Sequence, residues 1–144
     1  MKTLIKPVIL IFLIFFTFNK EASSTEKIKI GLIVPLSGKY KDIGDSIVKS
    51  VRLAINKIDD SRIEIIPKDT QSNPEITLRV SKELYKKNVK IIIGPVFNSN
   101  IIYLNELKDI TFLSFTNKIN KNPKNVISSG VNAVSQLNTI KKFQ

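Results

Sequence analysis

The chain has 144 residues, a net charge of +11, 42% hydrophobic and 24% charged residues, which is the composition of one folded domain and excludes disorder as the main state. It contains no histidine and no cysteine, so imidazole bases, thiol nucleophiles, thiolate or imidazole metal sites and disulfides are all excluded. A lipid anchor built on cysteine is excluded by the same count.

Residues 1–24 have the three-part pattern of a secretory signal peptide: Lys2 and Lys6, then an apolar run from Val8 to Phe18, then the small residues Ala22-Ser23-Ser24. The run is about half of the roughly 20 residues that cross a bilayer as a helix, so cleavage near Ser24 is favoured over a retained anchor. Thr25 then opens the mature chain, and residues 25–144 form one unit.

Lys27 to Pro35 reads as a strand, wholly apolar over Ile30 to Val34 apart from Gly31, as expected of a strand buried on both faces. Leu36-Ser37-Gly38 makes a turn. Gly44-Asp45 opens a helix carrying Ile47, Val51, Ala54, Ile55 and Ile58 at spacings of three and four, a stripe that should lie on the sheet. Asp59-Asp60 at its end reads as a solvated terminating pair, since adjacent helical residues do not face each other. Arg62 to Ile66 alternates as a short edge strand that Pro67, without an N–H, should end. Asp69 should cap the turn that follows.

Asn73-Pro74-Glu75 supplies an N-cap, a proline in the first turn and an early acid, followed by Ile76, Val80 and Leu84 on one helical face. Val89 to Ile93 is an apolar strand broken by Gly94-Pro95, with a short helix expected over Ser99 to Leu107 and a strand over Ile110 to Phe115. Asn125 to Ser128 reads as another strand, and Asn132 as the cap of a last helix with Val134, Leu137 and Ile140. Strands joined by helical connections of this length must pair in parallel, so the fold class is an α/β doubly wound parallel sheet.

Ligands of such sheets bind at the carboxyl ends of the strands. The loops there carry Ser37 and Gly38, Asn98 and Ser99, and Ser114, Thr116 and Asn117, which are small neutral groups suited to hydrogen-bonding a carboxylate or amide. Each is also a common turn former, so it is the convergence of three loops that makes a candidate site. No catalytic group, metal site or cofactor loop is expected: a serine nucleophile has no motif with a lysine partner, and the glycines do not make a phosphate loop. The lysines are scattered, the longest runs being pairs such as Lys86-Lys87 and Lys141-Lys142, which indicates solvated lysines and no nucleic-acid partner.

From Lys27 onward the chain resembles the type I periplasmic binding proteins, typified by the leucine, isoleucine and valine receptors of ABC transporters and including the penicillin-binding protein activators. The resemblance is carried by Ile30-Gly31-Leu32-Ile33-Val34-Pro35-Leu36-Ser37-Gly38, by Gly44 through Ala54 to Asn56, by Asp69-Thr70-Gln71-Ser72-Asn73-Pro74, by Val89 to Pro95, and by Phe112-Leu113-Ser114-Phe115-Thr116-Asn117. It implies the first lobe of a two-lobed periplasmic receptor, incomplete before its second lobe, that is not an enzyme and hands an amino acid or related amide to an ABC permease. It implies that Ser114 and Thr116 meet the ligand's amino and carboxylate groups. The chain departs from the family pattern at Ser50, commonly glycine, and at Val96-Phe97, where small residues are usual and where Phe97 would fill part of the pocket. The activator branch implies a peptidoglycan synthase as partner in place of a solute.

Overall fold

The computed structural model describes residues 26–118, 122–130 and 133–142. The expected signal peptide, residues 1–24, and the expected cap Asn132 lie outside the described residues. The elements in chain order are β1 (Ile28–Val34), α1 (Lys41–Ile58), β2 (Ile63–Asp69), α2 (Pro74–Lys86), β3 (Ile91–Ile93), β4 (Thr111–Ser114), β5 (Val126–Ser128) and α3 (Ala133–Lys142), with 3-10 turns at Gly38–Tyr40, Asn98–Ile101 and Leu104–Glu106. The five strands form one sheet in the order β2-β1-β3-β4-β5, with every pairing parallel. This is the α/β parallel architecture expected from the alternation of apolar runs.

Rows of side chains across the sheet explain where the core sits. Ile92, Phe112 and Val126 share a row and are all buried, packed with Val80 and Leu84 of α2 and with Ile101, Leu104, Leu107 and Ile110. The opposite row runs Leu32, Ile93, Leu113, Ile127 and opens progressively, from 1% exposure at Leu32 beside α1 to 53% at Ile127. Helix α1 thus covers only the β1 end of that face. Its apolar stripe is half open: Ile43, Leu53 and Ile58 are exposed, and Gly44 is the buried residue of the helix.

Three expectations are corrected. Strand β2 does not end before Pro67 but runs through it to Asp69. The Arg62 carbonyl accepts from Ile28 and the Thr70 amide donates to Val34, so even-numbered residues of β2 point their backbone groups at β1. Pro67 therefore turns its missing N–H to the open edge, where no ladder bond is lost.

Helix α1 begins at Lys41, after a 3-10 turn, and not at Gly44-Asp45. Gly44 is needed for contact: a Cβ there would lie 1.7 Å from the Pro35 carbonyl oxygen.

The expected helix over Ser99 to Leu107 is two 3-10 turns. Ile101, Leu104, Leu107 and Ile110 are all buried and recur every third residue, the period of a 3-10 helix and not that of an α-helix.

Helix α2 matches its sequence signals closely. The Asn73 side chain accepts from the amides of Glu75 and Ile76 at 2.8 and 3.1 Å, Pro74 opens the helix, and Val80 and Leu84 are buried with Ile76 packed beside them.

Candidate functional site

The loops after β1, β3 and β4 meet at the carboxyl edge because those strands are neighbours in the sheet. Gly38 adopts φ +72 with nothing near its Cβ position, a left-handed conformation that reverses the chain into the 3-10 turn ending at Tyr40. The Gly94 amide donates to the Leu113 carbonyl and the Phe115 amide to the Pro95 carbonyl, at 2.8 and 3.0 Å, which extends the β3–β4 ladder into the loops.

Asp69, on the neighbouring edge strand, holds the first loop. Its Oδ1 accepts from the Leu36 and Gln71 amides, both at 2.8 Å. Burial pushes its carboxyl up, but bonds donated by the Ser37 hydroxyl and by the Leu36, Gln71 and Ser37 amides outweigh this and hold it below the usual carboxylate value. It caps the turn, as expected, and it also ties Ser37 in place.

The expected site residues divide into two groups. Ser114 is 0% exposed; its hydroxyl donates to the Pro95 carbonyl at 2.9 Å and accepts from the Thr116 amide at 3.3 Å. Thr116 is buried and its hydroxyl accepts from the Lys118 amide. Ser114 ties the β4 loop to the β3 loop, Ser37 is tied to Asp69, and Thr116 closes the turn of its own loop. Gly38, Asn98, Ser99 and Asn117 are exposed on the same edge.

A groove of about 660 Å³ lies between α1 and Phe115 of the β4 loop, lined by Ile43, Ile47, Val51 and Ala54 together with Asp42, Ser46 and Ser50. Its lining is mostly apolar, and the Ser46 and Ser50 hydroxyls donate back to carbonyls of their own helix, so it lacks the convergent donors of the loop edge.

A family profile described as periplasmic binding protein matches residues 27–142. The chain belongs to the type I periplasmic binding protein family. Among solved structures, this periplasmic binding protein chain is similar to a solute-binding protein of an ABC transporter from Rhodopseudomonas palustris BisB5 in complex with 3,4-dihydroxybenzoic acid. That match has 28% identity and a TM-score of 0.59, and covers 62% of this chain and 27% of that one.

It is also similar to an ABC-type branched-chain amino acid transporter from R. palustris CGA009, with 19% identity, a TM-score of 0.64, and coverage of 74% and 33%. The C-domain of LpoA from Haemophilus influenzae, a regulator of PBP1A, matches with 20% identity, a TM-score of 0.59, and coverage of 72% and 32%. The chain spans about a third or less of the length of these solved relatives. No curated protein sequence matches it.

Asn100, Tyr40 and Lys39 of this periplasmic binding protein edge were not singled out by sequence reasoning as part of the site, whereas Phe97 was expected to fill part of the pocket. Asn100 is 1% exposed, and its side-chain amide donates to the Thr77 hydroxyl at 3.0 Å, which in turn donates to the Asn73 carbonyl at 2.7 Å. It anchors the β3 loop to the start of α2, while Ser99 donates to its carbonyl oxygen at 3.1 Å. Tyr40 packs on Phe97 with ring centroids 4.7 Å apart, and Lys39 Nζ lies 5.6 Å from the Tyr40 ring centre. The Tyr40–Phe97 contact had no sequence signal, because it joins residues more than fifty positions apart.

Among the described residues no group of three or more acidic, histidine or cysteine side chains is arranged to hold a metal ion, and no helix is long and apolar enough to cross a membrane.

Proposed function

We propose that this chain is the first lobe of an exported, periplasmic solute receptor of an ABC-type uptake system, that it is not an enzyme, and that its ligand is a small carboxylate-bearing solute of the amino-acid or amide class. The observation that carries this reading is the meeting of three loops at the carboxyl edge of the sheet in a family of solute-binding proteins. The proteins bound to 3,4-dihydroxybenzoic acid and named for branched-chain amino acids give the ligand class its support, since both ligands are small carboxylates.

The exposed groups of the edge do the binding. The Gly38 backbone and the side chains of Asn98, Ser99 and Asn117 hydrogen-bond the solute, while Ser37, Ser114 and Thr116 shape the loops that present them. A second lobe closes over the solute by hinge motion and removes the remaining water. The N-terminal segment acts as a cleaved signal peptide.

A second reading, as a regulator of a peptidoglycan synthase through protein contacts, is favoured by one observation. Ser114 and Thr116, the hydroxyls implied as ligand contacts, are buried in bonds within the protein.

A thermal melt of the purified chain against amino acids, their amides and small carboxylic acids tests the first reading. A rise in midpoint with one solute class, reduced by Asn98→Ala and Ser99→Ala, is the expected result. A flat response to every solute, together with retention of a synthase from detergent-solubilised membranes, refutes it in favour of the second.

A further inference from the structure

The carboxyl edge also has an apolar wall. Tyr40 ends the 3-10 turn after β1, Phe97 begins the one after β3, and because those strands are neighbours their side chains meet across the mouth of the site at 4.7 Å and an interplanar angle of 55°. Tyr40 is 38% exposed and Phe97 half-buried, so the pair keeps open ring surface. Large aromatic side chains left partly open beside polar groups are an arrangement of binding sites, since a ring buries much area at little entropic loss. The immediate chain neighbours of the pair are neutral or cationic, and the nearest acid along the chain is Asp42, two residues after Tyr40. Asn98 and Ser99 follow Phe97, Lys39 Nζ stands over Tyr40, and Asp69 Oδ1 is occupied by the amides that form the turn.

We infer that Tyr40 and Phe97 are specificity-determining residues that select solutes with an aromatic ring and a carboxylate, the ring packing on the pair and the carboxylate lying toward Lys39 and the loop amides. The inference rests on the proposed receptor reading and narrows its ligand class. A ligand ring set edge-to-face or offset on either partner adopts the geometry that aromatic pairs prefer. A small polar solute such as alanine leaves the pair's surface in water and gains nothing from it.

Amide NMR titration of the full chain, with L-phenylalanine and benzoate compared against L-alanine and acetate, tests this at the weak affinities a single lobe has. The expected result is shifts at the Gly38, Asn98 and Ser99 amides, with the aromatic solutes binding about 2- to 12-fold more tightly, as an aromatic contact of roughly 0.5–1.5 kcal/mol gives. Tyr40→Ala and Phe97→Ala should each remove most of that preference, while Tyr40→Phe retains it. If aromatic and aliphatic solutes shift the same amides with equal affinity, or if the alanine variants keep the preference, the inference is overturned and the receptor reading stands. If no carboxylate moves these amides, the receptor reading fails and the inference fails with it. Amide spectra of the variants that match the parent outside the two loops exclude misfolding as the cause.

Discussion

Gly44→Ala sets two effects of opposite sign against each other. Alanine is the better helix former by about 1 kcal/mol, so on propensity alone the change stabilises α1. The contact decides otherwise. The new Cβ would lie 1.7 Å from the Pro35 carbonyl oxygen and 2.7 Å from its carbon, where real Cβ contacts are essentially never under 3.0 Å, so helix and strand end must part by about 1.3 Å. Neither side yields cheaply, because Pro35 is buried at the end of the inner β1 strand and both Pro35 atoms are backbone. Overpacking of this kind costs about 3 kcal/mol at the upper end of its usual range, which leaves a net loss of about 2 kcal/mol.

With a urea slope of about 1–2 kcal/mol/M, the midpoint followed by far-UV circular dichroism should fall by roughly 1–2 M. Gly38→Ala is the control: its Cβ meets nothing within 4 Å, and only the φ of +72 opposes it, so a loss of about 1 kcal/mol is expected. A Gly44→Ala midpoint equal to or above that of the parent would refute the close approach of α1 to Pro35.

Further changes test other parts of the structure. Leu84→Ala empties a fully buried position between α2 and the sheet and should destabilise by about 2–5 kcal/mol in the same urea assay. Asn73→Ala removes both bonds to the first turn of α2 and should cost about 1 kcal/mol, with Asn73→Asp retaining most of the stability. Asp69 has a folded-state pKa below its unfolded value, so its contribution is complete above the unfolded pKa of about 3.9 and is lost as pH falls through the lower folded value. Asp69→Asn should flatten the fall in stability below about pH 4 in acid titrations followed by circular dichroism, and a variant that keeps the full acid slope would place the sensitivity at another carboxylate.

The parts of the fold legible in the sequence were those whose signals are local. Asn73-Pro74-Glu75 named the start of α2 because a cap acts within four residues, and Ile30 to Val34 named a strand covered on both faces because its run has no polar face. What was misread depended on neighbours far along the chain. Pro67 sits inside β2 because the strand is at the edge and its odd-numbered groups face outward, which register alone reveals. Gly44 was read as a helix start, whereas its function is to let the helix reach Pro35. The three-residue period of Ile101, Leu104, Leu107 and Ile110 was present in the sequence but is indistinguishable from a loose helical stripe until burial is known.

At the site, adjacency of the loops followed from strand order. The burial of Ser114 and Thr116 did not, since a serine in a turn reads the same whether its hydroxyl faces a ligand or the Pro95 carbonyl.

Hydrogen exchange of the purified chain, with and without a saturating carboxylate solute, tests the central claim most directly. Slowed exchange is predicted in peptides covering residues 36–40, 94–100 and 114–118, with α2 and residues 41–58 of α1 unchanged. Protection confined to the α1 groove, or absent from all three loops while a solute is demonstrably bound, would contradict a binding site at the carboxyl edge.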